Sequence, residues 1–217
     1  MKMRSILAST LALGASVAVA TQAEAGFIVA GFSSTELIPS TGPTDRANTS
    51  LSGNSVYRVQ TFNTSDAVSI DTVSILADSP GGDDVTLWIT DGLSGGDNIL
   101  YTGTFGTSTD AGGVASWHNF ELSGADLGPA GQYFLVIGSP GADGFKIRRT
   151  SQEGSIQLGD RGVAVIDQND PIMGADYVFF SDGDVLAVQL TGSLIPAPGA
   201  IALAGLSGIV LVGRRRR

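Results

Sequence analysis

Val85-Thr86-Leu87-Trp88-Ile89-Thr90-Asp91-Gly92 is the stretch whose alternation decides the fold. Val85, Leu87 and Ile89 alternate with Thr86, Trp88 and Thr90, and a period of two puts one set on each face of a strand. Asp91-Gly92 follows at once, and Asp-Gly supplies the positive φ values of a tight hairpin turn. A half-buried strand running straight into a turn is the unit of an antiparallel sheet.

The same unit recurs in both directions. Upstream lie Phe27 to Phe32, Ser55 to Phe62 and Ala67 to Ala77; downstream lie Ile99 to Phe105, Val114 to Leu122, Gln132 to Ile137 and Phe145 to Thr150. Ser155 to Leu158, Gly162 to Ile166, Tyr177 to Ser181 and Val185 to Leu190 complete the series. Turn residues separate them: Pro80-Gly81-Gly82, Gly95-Gly96, Gly112-Gly113, Pro140-Gly141, Asp143-Gly144 and Asp182-Gly183. Ser33 to Asn54, rich in Ser, Thr, Pro and Asn, reads as a long surface loop. No stretch between the ends keeps a helical period with caps. The expectation is all-β, an antiparallel β-sandwich with a jelly-roll-like arrangement.

Both ends read differently. Lys2 and Arg4 precede an apolar run from Ile6 to Ala20, and Ala23-Glu24-Ala25 is an A-x-A cleavage site before Gly26, so residues 1–25 read as an export signal. At the other end, Pro196-Ala197-Pro198-Gly199 leads into an apolar run from Ile201 to Val212 and then Arg214, Arg215, Arg216 and Arg217. An apolar run closed by arginines is a membrane stop signal with the basic end cytoplasmic. Leu194 to Gly213 would span roughly 30 Å as a single helix, but the prolines break its start.

Pro-x-Pro, a short apolar helix rich in small residues and a terminal arginine cluster together resemble the PEP-CTERM sorting signal, although Ala197 stands where that family usually has glutamate. The resemblance covers residues 195–217. It implies an exported protein read by an exosortase, held at least briefly in the inner membrane, and delivered to the cell surface or an exopolysaccharide matrix. The expected layout is therefore a signal peptide (1–25), a β-sandwich module (26–194) and a sorting signal (195–217).

With the ends set aside, the module carries six Lys and Arg against twenty Asp and Glu, a net charge of −14. Such a surface repels nucleic acid, so no nucleic-acid partner is expected, and it could draw divalent cations. Cysteine is absent, so neither disulfides nor thiol chemistry is available. A module of this size buries a core without them.

Four features bear on chemistry. Gly92-Leu93-Ser94-Gly95-Gly96 has the letters of a G-x-S-x-G elbow, but a strand rather than a helix follows, so a hairpin loop explains the glycines better. His118 is the single histidine; it rules out a multi-histidine metal site and reads as an ordinary strand residue. Asp83 and Asp84 flank one turn, and Asp167 and Asp170 another. Such loops could hold structural calcium, or the aspartates could simply form turns and solubilise. Trp88, Trp117, Tyr101 and Tyr133 are candidates for stacking on sugar rings, against a core role. Lys146, Arg148 and Arg149 fall within one strand, where they could meet an anionic polysaccharide or guard a sheet edge; the edge reading is preferred.

A second resemblance is to jelly-roll modules placed before such anchors. It rests on Thr86 to Ile89, Trp117 to Leu122, and the stretch from Leu127-Gly128-Pro129 to Tyr133 that leads into a core strand. The functional expectation is a non-enzymatic structural or adhesive protein associated with polysaccharide; the alternative is a glycan-active hydrolase on the same scaffold.

Overall fold

The computed structural model describes residues 26–32, 44–46, 54–78, 84–94, 97–107, 115–139, 145–151, 155–167 and 176–196. The export signal with Ala23 and Ala25, the acids Asp83 and Asp170, and the tail from Ala197 through Arg217 lie outside them. Gly26 and Pro196 lie inside, and both are exposed. Among the described residues no helix is long and apolar enough to cross a membrane.

The described chain is all-β. Its strands are β1 (Phe27–Phe32), β2 (Thr44–Arg46), β3 (Asn54–Asn63), β4 (Val68–Asp78), β5 (Asp84–Thr90), β6 (Ile99–Gly106) and β7 (Ser116–Leu127). They continue with β8 (Gln132–Gly138), β9 (Lys146–Ser151), β10 (Ser155–Ile156), β11 (Leu158–Asp167), β12 (Asp176–Phe180), β13 (Asp184–Leu186) and β14 (Val188–Leu194). The first sheet runs β10-β1-β14-β4-β9-β13, with β7 also on β4 and β2 also on β9; the second runs β12-β11-β3-β8-β5-β6. Every pairing is antiparallel.

The alternation at Val85 to Thr90 does what its period requires. Val85, Leu87 and Ile89 are fully buried and meet Phe62, Leu135 and Ile137 of the same sheet in one core, against Ile70, Val73, Ile75, Phe120 and Leu190 of the other. Two sheets sharing one core are consistent with the expected β-sandwich. Each such aliphatic side chain taken from water contributes about 1.5–3 kcal/mol.

Polar clips fix how the sheets meet. Gln60 is fully buried on the inward face of β3. Its Oε1 accepts the Leu186 N–H of the opposite sheet at 2.8 Å, and its Nε2 donates to the carbonyls of Gly159 at 2.8 Å and Thr61 at 3.0 Å. The Ala187 N–H bonds the Arg148 carbonyl, which makes Leu186–Arg149 a non-hydrogen-bonded pair and turns the Leu186 amide away from β9. At the crossing from β7 to β8 the Tyr133 hydroxyl donates to the Gly128 carbonyl at 3.0 Å, a tyrosine corner. This hydrogen bond gives the Leu127 to Tyr133 stretch its physical role, for about 1 kcal/mol.

Four expectations are corrected. The stretch from Ser33 to Asn54 is not all loop, because β2 pairs Thr44 to Arg46 with β9. The strand expected to stop at Leu122 continues to Leu127, absorbing the interruption in a bulge where Gly124 takes φ 90°. Val185 to Leu190 is two strands, broken at Ala187. Finally, β9 is not an edge: Lys146 to Arg148 pair with β2 on one side, while β4 and β13 pair on the other. Arg149 lies 3.7 Å from Asp184 of β13, so this basic strand sits inside the sheet rather than guarding its rim.

Candidate functional site

Trp88 leaves β5 on the face opposite the core, and the register shows what accompanies it. A row across the second sheet joins Phe179, Gly162, Val59, Val136, Trp88 and Thr102. The next row joins Thr61, Phe134 and Thr90. Val59 and Val136 are fully buried on this outer face, beneath half-buried Tyr57, Trp88, Leu93, Phe134 and Tyr177. The sheet thus carries a second, thinner apolar layer on its outside.

Glycines let the rings lie flat on the strands. A Cβ at Gly138 would stand 2.0 Å from Tyr57 Cε1, and one at Gly162 would stand 2.9 Å from Phe179 Cδ1. With those positions bare, Tyr57 meets Trp88 edge to face at 5.2 Å and 79°, and Phe179 meets Phe134 at 6.2 Å and 47°. An aromatic ring laid across a neighbouring strand's glycine replaces the packing that glycine lacks. Burial pushes the Tyr177 hydroxyl up to about 12, so it stays protonated at any ordinary pH.

Beside the Phe134–Phe179 pair the surface opens into a groove of about 330 Å³, lined also by Thr61, Gln132, Gly159 and Asp160. Its shape comes from a bulge. Leu158 pairs with Phe62 and Arg161 with Gln60, leaving Gly159 and Asp160 together opposite Thr61. Both bulge carbonyls are held by β3: Gln60 Nε2 donates to that of Gly159, and Thr61 Oγ1 donates to that of Asp160 at 3.0 Å. A bulge re-aims a side chain; here Asp160 comes to line the groove. The next residue, Arg161, turns inward with 4% of its side chain exposed, pairs with Asp182 and covers the Phe180 ring at 4.7 Å.

The aromatic candidates do not share a surface. Trp88 is on the outer face just described. Tyr101 stands opposite Ile89 and packs against the core. Trp117 stands opposite Leu76 in the other sheet and also packs against the core. Tyr133 is 6% exposed and committed to its corner. The residues that line the groove, Phe134 and Phe179, are not among those candidates, although Phe134 alternates with the inward Tyr133 and Leu135 and so is legible as an outward residue.

Ser94 sits in the hairpin loop between β5 and β6, where its Oγ and N–H both donate to Asp97 Oδ2 at 2.7 Å. His118 is 7% exposed in the first sheet with its ring edge on Phe145 at 5.2 Å. In the same hairpin Asp91 accepts the Asn98 N–H at 2.7 Å and its Nδ2 at 2.8 Å. Asp84 is exposed at the start of β5, and Asp167 ends β11 opposite Asn54. Among the described residues no three His, Cys, Asp or Glu groups gather in a way that could hold a metal ion.

The Ser94 hydroxyl, then its N–H, hold the Asp97 carboxyl below its ordinary 3.8. A depressed carboxyl stabilises its loop above the unfolded pKa and loses that contribution as pH falls through the lower folded value. In an NMR pH titration Asp97 therefore titrates below an ordinary aspartate, and Ser94→Ala moves it upward. An unmoved Asp97 in the variant would contradict the assignment.

No protein-family model matches the chain, and no curated protein matches it. Two solved structures are similar to it, those of infectious bursal disease virus Gt strain and Gx strain, at 14% and 12% identity with TM-scores of 0.30 and 0.28. The alignments cover 89% and 88% of this chain but 50% and 47% of the viral chains, so it spans about half their length. At those scores the likeness carries no argument.

Proposed function

We propose that this is an exported, non-enzymatic protein of the cell surface or extracellular matrix, whose sandwich binds polysaccharide through the outer face of its second sheet. The observation that carries the reading is the groove between Phe134 and Phe179, with Thr61, Gln132 and Asp160 around it. Aromatic faces beside hydroxyl, amide and carboxylate groups suit a sugar ring, which offers C–H patches edged with hydroxyls. The strand orders β1-β14-β4-β7 and β3-β8-β5-β6 support a jelly-roll-like arrangement. The A-x-A site before Gly26 supports export, and the Pro196 to Arg217 tail supports exosortase sorting from the inner membrane.

The hydrolase alternative needs two carboxylates about 5 to 10 Å apart across a cleft. The described lining of the groove supplies one, Asp160. Mature protein recovered from producing cells is expected to begin at Gly26, to lack Arg214 to Arg217, and to be retained on the cells' own exopolysaccharide. Repeating the retention with calcium and with chelator tests the acidic loops separately. Mature protein that flows through the polysaccharide in both conditions would overturn the binding reading; intact arginines would overturn the sorting one.

A further inference from the structure

Asp160 is the one charged side chain among the described residues lining the groove. The neighbouring cation in sequence, Arg161, is spent on Asp182 and the Phe180 ring. We infer that the groove is a subsite for a neutral pyranose, in which Asp160 accepts hydroxyls of a ring resting on Phe134 and Phe179, and that it excludes uronic and sulfated glycans. This rests on the polysaccharide-binding reading above.

A carboxylate has two oxygens that accept hydrogen bonds and none that donates, so adjacent hydroxyls on one sugar ring can satisfy both. Gln132 offers an amide that donates and accepts, which suits a third hydroxyl. The carboxylate is set by structure rather than by chance, since the bulge that carries it is pinned by Gln60 and Thr61 through both of its carbonyls. A carboxylate or sulfate on the sugar would stand a few ångströms from Asp160 on a module already strongly negative. Like charges about 4 Å apart repel by about 1 kcal/mol even in water, roughly fivefold in affinity, and by more where water is displaced.

The test uses native affinity electrophoresis of the mature protein through gels containing hydroxyethyl cellulose, dextran or galactomannan, and through gels containing alginate or polygalacturonate. At least one neutral polymer is expected to retard the protein and neither acidic polymer to do so. Asp160→Asn weakens the neutral interaction by about tenfold or more, the loss of charge-assisted hydrogen bonds. Phe179→Ser abolishes it, and urea unfolding and circular dichroism of the variant check that it still folds. If acidic polymers retard the protein as strongly as neutral ones, or if Asp160→Asn binds as before while Phe179→Ser does not, the specificity inference fails and the binding reading stands. If no polymer retards the protein, both fall.

Discussion

Gln60→Leu lowers the stability of the sandwich by about 4 kcal/mol. The side chain is fully buried and its three hydrogen bonds tie β3 to the Leu186 amide of the opposite sheet and to the bulge carbonyl of Gly159. Leucine fills similar space but offers neither donor nor acceptor. The Leu186 N–H and the Gly159 carbonyl are then left inside without partners, at about 1–3 kcal/mol each. Against a whole-domain stability of roughly 5–15 kcal/mol, that is a large fraction. Urea unfolding measures it, with Thr104→Val on the exposed face of β6 as the reference, expected within about 0.5 kcal/mol of the parent. A Gln60→Leu loss under 1 kcal/mol would show that the clip between the sheets is dispensable.

The second large effect is on the outer face. Gly138→Val places a side chain where the Tyr57 ring lies, since even a Cβ would come within 2.0 Å of it and within 3.1 Å of Trp88. Tyr57 must swing away, which uncovers Val59 and Val136 and breaks the edge-to-face pair with Trp88. Together, the lost ring contact and renewed hydration of two buried valines come to about 2–4 kcal/mol. Emission from Trp88, read in a Trp117→Phe background, shifts to the red as the indole meets water. Unchanged emission and stability would mean that Tyr57 has a second place to lie.

These two residues show what could be read from the chain and what could not. The alternation at Val85 to Thr90 determines an inside and an outside for one strand, and the described structure follows it from Val85 to Ile89, while Thr90 is buried as well. It cannot say which other side chains share the outside, because that depends on register between strands far apart in sequence. Trp88 and Tyr101 illustrate the gap: both look like candidate ring platforms, yet pairing of Ile89 with Tyr101 and of Trp88 with Thr102 sends them to opposite faces. The β2 strand is invisible for a related reason, since three residues in a polar stretch become a strand only because β9 lies alongside. The groove hides in Gly159-Asp160, two residues between the expected strands Ser155 to Leu158 and Gly162 to Ile166 that prove to be a bulge inside one long strand. Gln60 reads as a surface residue by composition. Its burial is dictated by an amide, more than a hundred residues along the chain, that points away from β9.

The first described strand lies beside the last described one, with Phe27 across from Gly192 and Ile28 across from Thr191. Closing that pair means joining segments separated by nearly the whole described chain, a contact with a high entropic cost before any return. Until β14 has been made, β1 has no partner on that side and the first sheet has a gap between β1 and β4. A chain built this way keeps its first sheet open for as long as the C-terminal strand is missing. Completion of that sheet therefore waits on β14, the one described strand that bridges β1 and β4.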